Sequence, residues 1–203
     1  MEREMFKIPL TVKAVNHGFN IGVKVYNDKL SFPDKWHVGG ANELQADIYG
    51  FIAETAVDEF FGQPLPALTK QKNDLFDLKL GGLNIDVKKV GYSRFSTRTK
   101  ITLNKKQTLR KMKFIDAFLF CTFNGEFDRK KVQVNTKDGG WDVLEVYIPS
   151  PIASHLWLIG WIKSEDVESK SRIYVWKDRD GKPRDESYWL KEEDLRDVKE
   201  LIE

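Results

Sequence analysis

Cysteine is almost missing from this chain: its 203 residues hold one, Cys121, inside the apolar run "AFLFCTF". A lone thiol excludes an intramolecular disulfide and a cysteine-rich zinc site, and it fits a reducing interior. Histidine is scarce too. His17, His37 and His155 are scattered, without HxH or HExxH spacing, which argues against a histidine metal centre. No apolar run reaches the ~18 residues of a membrane helix, and "MEREMFKIPL" lacks a signal-peptide core. The expectation is a cytoplasmic protein in a reducing, intracellular setting, with no membrane partner. The Gly-Gly pairs at 39–40, 81–82 and 139–140 build neither a Walker loop nor a dinucleotide fingerprint, so ATP use is not indicated. A net charge of only +2 leaves nucleic-acid binding to the local distribution of charge.

What is present suffices for a core: 41% hydrophobic residues and six tryptophans in a length that suits one domain. "FKIPLTVKAV" and "FNIGVKVYND" alternate as two strands would, joined near His17-Gly18. From Asn42 to about Phe61 the period becomes helical, with Leu44, Ile48, Phe51, Ile52 and Thr55 within roughly 100° of arc. Gly62 and the prolines of "GQPLP" end that helix. A hairpin over 75–90, a helix over 104–113 and a strand over 114–123 follow. "LEVYI" and "LWLIGWI" read as separate strands around "SPIASH", "RIYVWKD" and "ESYWLK" as a hairpin, and "EEDLRDVKELI" as a closing helix. Trp157, Trp161, Trp176 and Trp189 are expected in the core or on a dimer surface. The sum is one α/β (or α+β) domain over 1–203 with a central mixed sheet flanked by helices. Its core spans about 42–123, and residues 140–203 form peripheral strands and a helix.

The stretch "DLFDLKLGGLNIDVKKVGY" carries the chemistry. With Gly81-Gly82 as a two-residue loop, Leu80 faces Leu83, Lys79 faces Asn84, Leu78 faces Ile85 and Asp77 faces Asp86. One face is then apolar (Phe76, Leu78, Leu80, Leu83, Ile85, Val87) and the other carries Asp77, Lys79, Asn84, Asp86 and Lys88. Two carboxylates directly opposite destabilise a sheet unless compensated. A divalent cation resolves the conflict, since hard cations take carboxylate oxygens from adjacent positions. Lys88 beside it can hold or deprotonate a water, or stabilise a phosphate. The alternative is a solvated face with unrelated charges. Asp74 rivals Asp77: strand parity favours Asp77, and a bulge at 74–76 would reverse that.

Between Val87 and Ile115 stand ten basic residues and no acidic one: Lys88, Lys89, Arg94, Arg98, Lys100, Lys105, Lys106, Arg110, Lys111 and Lys113. Such a cluster neutralises phosphates, and the interleaved Tyr92 and Phe95 suit stacking on unpaired bases. Lys89, Arg94, Arg98, Lys105, Lys106 and Arg110 are the candidate DNA contacts; an ordinary basic surface is the alternative. On the 42–61 helix, Glu43, Asp47, Glu54 and Asp58 form an acidic stripe within about 60° of arc, which a solvated helix face would equally explain.

Asp77, the triplet Asp86-Val87-Lys88 and Glu54 in "GFIAETAVDEFF" resemble the signature of the PD-(D/E)xK nuclease superfamily, the restriction-endonuclease-like fold; small nucleases of archaeal viruses look similar. The motif's proline is absent, Phe76 standing before Asp77. The resemblance covers roughly 42–120 and implies the order helix, strand, strand, strand, helix, strand. It implies Mg²⁺ (or Mn²⁺) held by Asp77, Asp86 and the Val87 carbonyl, with Glu54 near the metal and a helix whose Gln107 and Lys106 face the cleft. It also implies a DNA-hydrolysing enzyme, often a homodimer. Two other classes stay open: a DNA-binding or assembly protein without catalysis, and a protein-interaction module with a coincidental D-x-K.

Overall fold

The computed structural model describes residues 5–30, 40–66, 76–91, 101–177 and 180–202. In chain order the elements are β1 (Phe6–Pro9), α1 (Val12–Leu30), α2 (Ala41–Phe60), β2 (Leu78–Leu80), β3 (Leu83–Lys89), β4 (Ile101–Asn104) and α3 (Lys105–Lys111). There follow β5 (Ala117–Asn135), β6 (Trp141–Lys163), α4 (Val167–Lys170), β7 (Arg172–Lys177), β8 (Pro183–Leu190) and α5 (Lys199–Ile202). The fold is mixed α/β, as expected. A five-stranded mixed sheet runs β1-β6-β5-β3-β2, and a three-stranded sheet runs β4-β8-β7. The chain clusters into two compact units, one of Met1–Phe6, Asn73–Thr122 and Trp157–Glu203, the other of Lys7–Lys72 and Phe123–Leu156.

In the second unit the two strands expected over 6–28 are one short strand and a long helix. The Thr11 hydroxyl accepts from the Ala14 N–H at 2.9 Å and so starts α1. The helix buries Ala14, Val15, Gly18, Ile21, Gly22 and Tyr26, a helical spacing that the β-branched residues of "NIGVKVY" disguised. Gly18 and Gly22 let two backbones meet. A Cβ on Gly18 would stand 2.5 Å from Ile52 Cα, and one on Gly22 2.6 Å from Ile48 Cα. α2 agrees with its expected bounds to within a residue and buries Leu44, Ile48, Ile52 and Thr55 as its periodicity required.

The first unit has its own core, in which Phe118, Phe120, Ile159, Ile162, Tyr188 and Leu190 are buried with Ile101 and Leu103. The hairpins over 75–90 and 172–190 and the helix near 105 form as expected. Other expectations need correction. "SPIASH" does not separate two strands, because β6 runs unbroken through Pro149 and Pro151. Val146 and Ile148 before the prolines and Ser154, Leu156 and Leu158 after them are buried, while Ile152 between them is 91% exposed. β5 continues twelve residues beyond the expected end at 123. "ITLN" forms the strand β4, and the helix starts after Asn104. The closing helix is reduced to a single 3₁₀ turn at Glu192–Asp194 and α5. Trp161 is in the core, whereas Trp176 is 48% exposed.

Gly18→Ala should lower stability by about 2–3 kcal/mol or more, the cost of overpacking against backbone that cannot swing aside. Urea denaturation followed by far-UV circular dichroism reads this directly; an unchanged midpoint would show that α1 and α2 tolerate wider separation.

Candidate functional site

β3 lies inside its sheet, antiparallel to β2 and parallel to β5. Gly81 and Gly82 take φ of 56° and 81°, the pair of positive values that a type I′ hairpin turn requires. The register is the one anticipated: Leu78 opposite Ile85, Lys79 opposite Asn84, Leu80 opposite Leu83. Leu78, Ile85 and Val87 are buried, while Leu80 and Leu83 are half-buried. Phe76, expected on that apolar face, is 38% exposed because the ladder has ended before it.

The ladder does not run on to a facing Asp77–Asp86 pair. Asp77 donates its N–H to the Ile85 carbonyl at 2.9 Å, one residue short of that register. Its carboxylate Oδ2 accepts from the Val87 N–H, also at 2.9 Å. Aspartate often competes in this way for backbone donors. Asp77 therefore reaches β3 beside Asp86 through a side-chain-to-backbone bond, not as a cross-strand neighbour.

Asp86 departs furthest from a wet sheet face, since it is 0% exposed. Two ammonium groups flank its carboxylate: Lys111 hydrogen-bonds to Oδ1, and Lys88 forms an ion pair with Oδ2. Oδ2 has no hydrogen bond of good geometry, so the Lys88 contact is electrostatic only. Burying a carboxylate costs on the order of several kcal/mol, which a close cation offsets. The lysine side chains are 33% and 38% exposed, so their stems descend from solvent to a carboxylate beneath them.

The sequence places Lys111 in the basic segment without linking it to Asp86. The signal for it was available: Gln107, drawn to the cleft by the family resemblance, lies one helical turn before Lys111 and on the same face of α3. The Asn104 side chain caps α3 by accepting from the Gln107 N–H at 3.1 Å. Lys106, Gln107 and Arg110 are exposed, as nucleic-acid contacts must be, while Lys105 pairs with Glu186 at 2.7 Å. Lys89 is half-buried, and burial pushes its ammonium below the usual lysine range while the nearby Cys121 thiol pulls it back up. Cys121 itself is buried, as expected. Arg94, Arg98, Tyr92, Phe95, Lys100 and the rival Asp74 lie outside the described residues.

No protein-family model, curated protein or solved structure matches the chain. Glu54 is half-buried on α2 and belongs to the other compact unit. Of the acidic stripe read as a solvated face, Asp58 is buried and Asp47 pairs with Lys29. Among the described residues, no three His, Cys, Asp or Glu side chains gather where they could hold a metal ion. No helix among them is long and apolar enough to cross a membrane.

A carboxylate shared by two lysines makes their deletion non-additive. Lys88→Met or Lys111→Met alone leaves one compensating ammonium and should cost little. The double variant strands a buried charge and should lose about 3 kcal/mol. Adding Asp86→Asn should recover most of that loss. Denaturant melts in EDTA of the singles, the double and the triple measure it, and simple additivity would contradict the shared clamp.

Proposed function

We propose that the chain is a divalent-metal-dependent nuclease that hydrolyses DNA phosphodiesters on a restriction-endonuclease-like core. The observation that carries this reading is Asp86: a wholly buried carboxylate on an interior strand, with the Lys88 of its own D-x-K triplet against it. The element order supports it as well. α2, β2, β3, β4, α3 and β5 follow the order that the resemblance implies, and β3 pairs in parallel with β5. β4 differs in pairing with β8 in the smaller sheet.

The donors suit a hard cation of the magnesium type, which is commonly held by one or two carboxylates and keeps several waters. Asp86 and Asp77 would hold Mg²⁺ or Mn²⁺ with the Val87 carbonyl. Such an ion lowers the pKa of a bound water and neutralises charge developing on the phosphate. Asp77 also braces β3 at Val87, which fixes the residue between Asp86 and Lys88. Lys88 positions the attacking water from the solvent side of Asp86. Lys106 and Arg110, exposed on α3, take DNA phosphates, as do Lys89, Lys105, Arg94 and Arg98 of the same basic segment. A homodimer would bring two such sites to a duplex.

A second reading, a DNA-binding protein without catalysis, is favoured by the same clamp, because Lys88 and Lys111 already compensate Asp86. Purified protein with Mg²⁺ or Mn²⁺ and labelled linear, nicked, flapped and four-way DNA separates the two. The nuclease reading expects cleavage that is lost in Asp86→Ala and Lys88→Ala while DNA binding survives. Binding without cleavage of any substrate selects the second reading; no salt-sensitive binding at all sinks both. In the same binding assay, Lys106→Ala and Arg110→Ala should each reduce the slope of log affinity against log salt by about one.

A further inference from the structure

Resting on the nuclease reading, we infer that Lys111 is a positioning residue that competes with the divalent cation for Oδ1 of Asp86, and so sets the metal affinity of the site from α3. Its hydrogen bond occupies an oxygen that a cation held by Asp86 would use. A metal placed there would stand against a like charge in a spot where Asp86 is wholly shielded from water. Binding therefore requires one ammonium to withdraw. Lys88 sits on the same strand, two residues from Asp86, and forms an ion pair with Oδ2. Lys111 comes from a separate element, hydrogen-bonds to Oδ1, and has a flexible stem with 38% of its side chain exposed. It can swing to solvent without disturbing β3.

The test is Mn²⁺ titration of the full chain, followed by electron paramagnetic resonance of free Mn²⁺, for wild type, Lys111→Met and Lys111→Arg. Removing the competing charge should tighten Mn²⁺ binding about tenfold, the effect of a single modest ion-pair interaction. Arginine should weaken it below wild type, because a guanidinium fork grips a carboxylate through two bonds. The arginine variant keeps the charge and tests the inference even if the methionine variant is unstable. Wild-type protein that binds Mn²⁺ and cleaves DNA, with both variants matching its affinity or Lys111→Met binding more weakly, overturns the inference alone. Wild-type protein that binds no Mn²⁺ and cleaves nothing overturns the nuclease reading and the inference together.

Discussion

A buried carboxylate must be compensated, and Asp86 imposes that requirement on everything around it. It stands on β3, between β2 and β5, and is wholly shielded from water. Positive charge has to be brought in on long side chains. Lys88 reaches it from the same strand and Lys111 from α3. The position of α3, held at its start by the Asn104 cap, is in this sense part of the electrostatics of β3.

The same constraint explains Asp77. A second carboxylate facing Asp86 across the hairpin would have added like charge to a buried position. Instead the ladder slips by one residue at Asp77, and its carboxylate turns onto the Val87 N–H. One aspartate is neutralised by ammonium groups and the other is stabilised by a backbone donor. Two carboxylates thus meet at one short stretch of β3 by different means, Asp86 from the strand itself and Asp77 through the Val87 N–H.

The hairpin was legible because its turn chemistry and alternation agree: Gly81-Gly82 determines the register, and the register determines the faces. α2 was legible from its period and its Gly62 stop. Elsewhere local signals misled. The β-branched residues of α1 favour strand locally, yet the glycines that let α1 approach α2 carry meaning only once that contact is known. Pro149 and Pro151 signal a break, yet β6 runs on through them, with buried residues on either side of the pair. At the site, Asp86 and Lys88 follow from spacing, whereas its burial and its second lysine do not. Lys111 lies 25 residues from Asp86 in sequence, and only tertiary structure brings them together. The basic segment was visible as composition, but which of its cations face solvent and which are engaged by Asp86 or Glu186 was not.

The account depends on Asp86 being a position where a hard cation binds rather than a buried charge that lysines merely neutralise. A crystal soaked in Mn²⁺, with anomalous difference maps, tests that most directly. The account predicts a peak about 2.0–2.3 Å from an Asp86 carboxylate oxygen, with Lys111 moved away from Oδ1. An empty anomalous map, with both lysines still on the carboxylate at saturating Mn²⁺, would contradict it.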